Sequence, residues 1–253
     1  MRIRRLLYLF VLLLPAASAA GDRLTIAVAS NFAQVALELA EAFARDTGAA
    51  VRVSTGSTGK LYGQIVNGAP FDVFLAADAV RPALLENAGE GLAGTRRTYA
   101  IGSLVFWSRD PELAVQCTDA LANLDGRLAI ANPVTAPYGR AAKEYLVAEG
   151  LWEVLEPSLV YGESAAQTLQ FVATGNAQAG LVAASHVRND SLPPASCSWP
   201  VPATLHAPIE QQAIVIASSG RTDLAQEFID FLGGDDARDL ILAAGYRIPE
   251  DAE

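Results

Sequence analysis

From residue 24 almost to its end the chain repeats one unit: a short apolar run, a turn of small or hydroxyl residues, and apolar positions at helical spacing. This alternation leaves few architectures open. Parallel strands cannot be joined by a tight hairpin, and the helix that carries the chain back must cover a face of the sheet. The pattern therefore predicts an α/β fold of mostly parallel sheets flanked by helices. Leu24–Ala29 is a first strand, followed by Phe32, Val35, Ala36, Leu39, Ala40 and Phe43 on one helical face, with Ser30 or Asn31 as N-cap and Gly48 as the stop. The unit recurs at 51–54, 73–76, 127–131 and 159–161, each leading through a turn into a helix, and 179–183 reads as a further buried strand.

No internal repeat and no Pro/Gly/Ser linker separates independent domains. Two segments are long and apolar enough to run between lobes: 99–108 (YAIGSLVFWS) and 208–218 (PIEQQAIVIAS). If they do so, residues 21–101 together with 211–253 form lobe one, and residues 102–210 form an inserted lobe two.

The first twenty residues stand apart. Arg2, Arg4 and Arg5 precede nine apolar residues, Leu6 to Leu14, and a small-x-small pattern at Ala17-Ser18-Ala19. This order is that of a secretory signal peptide over residues 1–20, cut near Ala19 or Ala20 and leading to the periplasm. Nine apolar residues fall short of the roughly 20 that span a bilayer. With three of its 18 basic residues in the leader, the mature chain carries 15 basic against 28 acidic residues, a net −13. That balance argues against nucleic acid and anionic membranes as partners, and it means that an anion site must be made locally. Export also favours a single disulfide between Cys117 and Cys197 over the alternative of two buried free thiols.

The turns that follow the strands hold the candidate chemistry. The start of a helix presents backbone N–H groups without partners and the positive end of its dipole, which suits an anion. Hydroxyl, amide or small residues occupy four such turns: Ser30-Asn31, Ser57-Thr58, Tyr138, and Ser164-Ala165 with Glu163 beside them. Each taken alone is also ordinary helix capping.

Several motifs carry a resemblance. LTIAVASNF at 24–32, GSTGKLY at 56–62, GAPFDVF at 68–74 with Ala77-Asp78, GRLAIANP at 126–133, Pro137-Tyr138-Gly139 and the closing Gly245-Tyr246 stand in the order found in periplasmic molybdate-binding proteins of ABC transporters, which this chain resembles throughout its mature length. The resemblance implies two α/β lobes hinged by crossing strands, with an oxyanion, molybdate or tungstate, held in the cleft. It also implies a membrane permease of an ABC importer as partner, a monomer, no cofactor and no catalysis. Carried over position by position, the ligand-binding residues are Ser30, Asn31, Ser57 or Thr58, Tyr138 and the backbone of Ala165. Some members add a tyrosine after the strand Gly180-Leu181-Val182, where this chain has Ala183.

Within the binding class, sulfate, phosphate or a small organic solute remains an alternative ligand, because lobes of this type serve many. An exported hydrolase is the competing class. His186 and His206 are the chain's two histidines, GSTG is not a nucleophile elbow, and Gly59-Lys60-Leu61 lacks the hydroxyl a phosphate loop requires.

Overall fold

The computed structural model describes residues 23–188 and 192–249; the leader predicted over residues 1–20 lies outside them. Ten strands form two sheets. In chain order they are β1 (Arg23–Ala29), β2 (Ala50–Gly56), β3 (Val73–Leu75), β4 (Arg97–Gly102), β5 (Leu104–Ser108), β6 (Leu128–Ala131), β7 (Leu159–Gly162), β8 (Ala179–Ala183), β9 (Cys197–Pro200) and β10 (Ile209–Val215). The first sheet has the order β2-β1-β3-β10-β4 and the second β7-β6-β8-β5-β9.

Helices flank both sheets: α1 (Ala33–Thr47), α2 (Thr58–Val66), α3 (Val80–Ala88), α4 (Pro137–Ala148), α5 (Trp152–Leu155), α6 (Ala165–Ala173), α7 (Ala184–Val187), α8 (Thr222–Phe231) and α9 (Asp235–Ala243). None of the described helices is long and apolar enough to cross a membrane.

The parallel arrangement that the alternation predicts occupies three strands of each sheet, β2-β1-β3 and β7-β6-β8. The remaining pairings, β3-β10-β4 and β8-β5-β9, are antiparallel. The sheets are therefore mixed, and the strands next to the crossings account for it. The run 99–108 is not one long strand. It breaks at Ser103, so that β4 ends in the first sheet and β5 begins in the second. The return is made by irregular chain ahead of β10, and β10 itself lies wholly in the first sheet.

Burial explains the strands. Leu24, Ile26 and Val28 are fully buried on β1, as are Leu104 and Phe106 on β5 and Leu128 and Ile130 on β6. In α1, Val35, Ala36, Leu39 and Phe43 face the first sheet, and Gly48 closes the helix at φ +76°, where a side chain would be strained. Helices α8 and α9 seal the same core through Phe228, Ile229, Ala237 and Ile241.

Cys117 and Cys197 are joined by a disulfide with Cα atoms 5.3 Å apart. It fastens a 3-10 turn to the edge strand β9, and the Trp199 indole N–H donates to the Cys117 carbonyl at 2.9 Å. The bridge closes a loop with a sequence separation of 80. Replacing both cysteines by serine is expected to lower unfolding stability by about 2–5 kcal/mol. A urea midpoint equal to that of the parent would show that the bridge does not stabilise this lobe.

Candidate functional site

Four helix starts meet between the two sheets. Two belong to the first: the 3-10 turn Ser30–Phe32 that follows β1, and the start of α2 after β2. Two belong to the second: the starts of α4 and α6. Ser30, Asn31, Ser57, Thr58, Tyr138 and Ala165 are all buried and line one cavity with Ala29, Gly56, Ala136 and Pro137. They enclose about 10 Å³, far below the roughly 300–1,000 Å³ of sites that hold drug-sized molecules. Larger hollows of about 750 and 660 Å³ lie elsewhere; the first contains none of these six residues and the second only Asn31.

The local chemistry differs from simple capping. Ser30 and Asn31 do not cap α1, whose N-cap is Phe32, because the chain first makes a turn of 3-10 helix. The Ser30 hydroxyl instead accepts from the Ala166 N–H at 3.3 Å, across the gap between the lobes. Ser57 does cap α2, its Oγ accepting from the Lys60 N–H at 3.4 Å. Thr58 Oγ1 accepts from the Ala77 N–H at 3.2 Å. Both hydroxyls keep a hydrogen of their own to donate. At α6, the Gln167 N–H goes to Ser164 Oγ and the Thr168 N–H to the Ser164 carbonyl. The Ala165 N–H is the first-turn donor not taken up by these bonds.

No charged side chain lines the cavity. Glu163 turns to the rim, where its carboxylate pairs with Lys60 at 2.5 Å and both side chains are more than half exposed. Every side chain in the lining is thus neutral, and its hydroxyl and amide groups can donate. Such a site neutralises an anion through N–H and O–H dipoles and helix ends. Among the described residues no group of His, Cys, Asp and Glu comes together to hold a metal ion.

Beneath the cavity lies a polar network that the sequence reading passed over. The Asn31 Nδ2 donates to Gln211 Oε1 at 2.8 Å and to the Tyr246 hydroxyl at 3.1 Å. The Tyr246 hydroxyl donates to the Asn31 carbonyl at 2.7 Å, the Ser185 hydroxyl reaches the same carbonyl at 3.1 Å, and the Tyr99 hydroxyl shares its one hydrogen between the Ala76 carbonyl at 3.1 Å and Gln211 Oε1 at 3.2 Å. His186 Nε2 meets the Ser30 carbonyl at 3.1 Å. A carbonyl only accepts, so Nε2 carries the proton. Burial holds this imidazole below its usual range, which keeps it neutral. With both carbonyls tied, the peptide planes of the Ser30-Asn31 turn are fixed. Burial also pushes Tyr99 and Tyr138 well up and Tyr246 to about 12, so all three remain O–H donors at neutral pH. An amide pair, Gln211-Gln212, running into the apolar stretch Ala213-Ile214-Val215 was the one signal of this network in the sequence, since a buried amide demands partners. At the position where a tyrosine could have followed β8, Ala183 is buried and offers no side-chain donor.

The lobes are closed on each other. The Gly59 N–H donates to the Thr135 carbonyl at 2.8 Å, Arg81 donates to the Val134 carbonyl at 2.9 Å, and Arg140 pairs with Asp78 at 3.5 Å.

Known proteins with similar chains carry this arrangement further. The family model for bacterial extracellular solute-binding proteins matches residues 24–247. The molybdate-binding protein ModA of Azotobacter vinelandii is 44% identical over 232 residues, which cover 91% of this chain and 92% of that one. ModA of Rhodobacter capsulatus is 42% identical, covering 90% and 89%. The solved structure of the Azotobacter vinelandii periplasmic molybdate-binding protein superposes with a TM-score of 0.85 at 39% identity, over 90% of this chain and all of that one.

Proposed function

The chain belongs to the bacterial extracellular solute-binding proteins, and within them to the molybdate-binding proteins of ABC transporters, and from that premise we propose that it takes molybdate between its lobes by the neutral donors of four helix starts. It is a binding protein and not an enzyme. It captures the oxyanion outside the cytoplasm and hands it to an ABC importer.

The observation that supports the site is the cavity itself: about 10 Å³ lined by Ser30, Asn31, Ser57, Thr58, Tyr138 and Ala165, with donors from both lobes and no charge. In this reading residues 21–101 and 211–253 form one jaw and residues 102–210 the other. The anion is held by the hydroxyls of Ser30, Ser57 or Thr58, and Tyr138, and by the N–H groups of Asn31 and Ala165. The Asn31 amide nitrogen is engaged with Gln211 and Tyr246, so that residue serves the anion through its backbone and its fixed geometry. Tungstate, nearly the same size and charge, is accepted as well. The protein acts in the periplasm as a monomer, docks on the importer's membrane permease, and needs no cofactor.

Selectivity follows from the lining. Phosphate near neutral pH carries a proton that requires an acceptor; the lining holds no carboxylate, and its Ser30, Ser57 and Thr58 hydroxyls already accept from the N–H groups of Ala166, Lys60 and Ala77, so the proton is poorly paired at a cost of about 1–3 kcal/mol. Sulfate has no such proton, but its oxygens lie closer to the central atom, so a cage set for the larger anion stretches several hydrogen bonds. Competition calorimetry at equal concentrations is expected to rank molybdate and tungstate together, above sulfate and phosphate. Tight sulfate or phosphate binding with weak molybdate binding would overturn the assignment and leave a receptor for another oxyanion.

Tyr138→Phe removes one hydroxyl donor and is expected to weaken molybdate binding by about 1–3 kcal/mol. An unchanged affinity would take Tyr138 out of the site.

A further inference from the structure

Gln211 is fully buried and stands on β10, where the register against β4 slips between Gln211 and Gln212. A slip of this kind re-aims a side chain. Its Oε1 accepts from the Asn31 amide and lies 3.2 Å from the Tyr99 hydroxyl, whose one hydrogen is shared with the Ala76 carbonyl. Its Nε2 is buried with no hydrogen-bond partner among the described residues. An orphaned buried donor is uncommon and unfavourable.

The Tyr138 hydroxyl, which comes from the other lobe, is also buried without a partner among the described residues. The two atoms face the same small space over Gly102, the last residue of β4 before the chain crosses. A Cβ on Gly102 would lie 2.2 Å from the Tyr138 hydroxyl oxygen and 3.1 Å from Gln211 Nε2. Glycine is what lets the phenol reach this place.

We propose that Gln211 is a positioning residue for the oxyanion site: its amide oxygen holds Asn31 of one lobe, and its amide nitrogen, unpaired among the described residues like the Tyr138 hydroxyl of the other lobe, donates to that hydroxyl oxygen once a bound anion draws the phenol hydrogen toward itself. A hydroxyl that accepts one hydrogen bond donates a stronger one. The amide therefore joins the two lobes' ligand-facing groups only when the cleft is shut, and Gly102 provides the clearance. This assignment rests on the molybdate-binding reading.

The test titrates molybdate into the parent, Gln211→Glu, Gln211→Leu, Tyr138→Phe and the Gln211→Leu/Tyr138→Phe pair, with the thermal midpoint of each recorded without anion. Gln211→Glu keeps the shape but replaces the donor by a carboxylate close to a dianion. We expect at least a tenfold loss of affinity at pH 8 that shrinks at pH 6, since burial raises the new carboxyl's pKa and its protonated form donates again. The titratable groups facing it, Tyr99, Tyr138 and Tyr246, stay protonated at both values. Gln211→Leu is expected to weaken binding several-fold in the parent and much less when Tyr138 is already Phe. Parent-like affinity of Gln211→Glu at pH 8, a loss independent of pH, or a Gln211→Leu loss of equal size with and without the Tyr138 hydroxyl would each overturn the proposal. A parent that takes up no molybdate would fail the functional reading instead, and this assignment with it.

Discussion

Asn31→Asp is expected to weaken molybdate binding by a hundredfold or more while the protein stays folded. The substitution changes almost no volume but replaces an amide by a carboxylate at a residue only 4% exposed, in the wall of the small cavity between the lobes. With an effective dielectric of about 20, two like charges about 4 Å apart repel by about 4 kcal/mol, and a dianion feels more. The substitution also removes the donation of Nδ2 to Gln211 and Tyr246, leaving the Gln211 oxygen to face the oxygens of the introduced carboxylate. Part of the penalty is relieved as pH falls, because a buried carboxyl beside an anion protonates more readily than a free one. Calorimetric titration reads the affinity and circular dichroism the fold. A variant that binds molybdate as the parent does would mean that Asn31 merely braces the turn.

Gly139→Ala carries the second large effect, and it acts without touching a donor. A methyl group on Gly139 would fall 2.1 Å from the Ala131 carbonyl oxygen and 2.6 Å from its carbon, both backbone atoms at the end of β6 that cannot rotate away. The start of α4 must therefore lift off the sheet, and Tyr138, the preceding residue, moves with it. Overpacking of this kind destabilises by about 1–3 kcal/mol, and displacing a hydroxyl by an ångström removes its hydrogen bond. The expected result is a lower urea midpoint together with a loss of affinity at least as large as that of Tyr138→Phe. Parent-like affinity with lowered stability would show that the first turn of α4 does not need its present seat.

Much of the architecture could be read in the residues. The strand at 24–29 and the helix ended by Gly48 are where apolar spacing and a left-handed stop put them, because those signals are local. Helices α8 and α9 went unread although Ala225, Phe228, Ile229 and Leu232, then Ala237 and Ile241, have helical spacing; their apolar faces are narrow and the chain around them is acidic. The antiparallel strands at the crossings were invisible for a different reason. Whether a strand runs with or against its neighbour depends on which sheet it joins, and within 99–108 only Gly102-Ser103 marks where the run breaks.

The six candidate residues were named through motifs and not through spacing. Six residues spread from Ser30 to Ala165 line one cavity, a fact of three dimensions that each turn's composition leaves open. The network beneath them was further out of reach. Gln211 and Tyr246 lie 180 and 215 residues from Asn31, and Tyr246 reads in isolation as one more core aromatic, packed against Phe32 at 5.2 Å.

The bonds that hold the jaws together bear on time as well as on fit. An anion sealed beneath the Gly59–Thr135 backbone bond, the Lys60–Glu163 pair and the Arg140–Asp78 pair leaves no faster than those contacts part. Its dwell is then governed by how often the lobes swing open and only secondarily by the strength of any single donor. Two of the three latches are ionic and at least partly exposed, so rising salt loosens them first. A receptor built this way holds its cargo in dilute surroundings and lets go when something else prises the lobes apart.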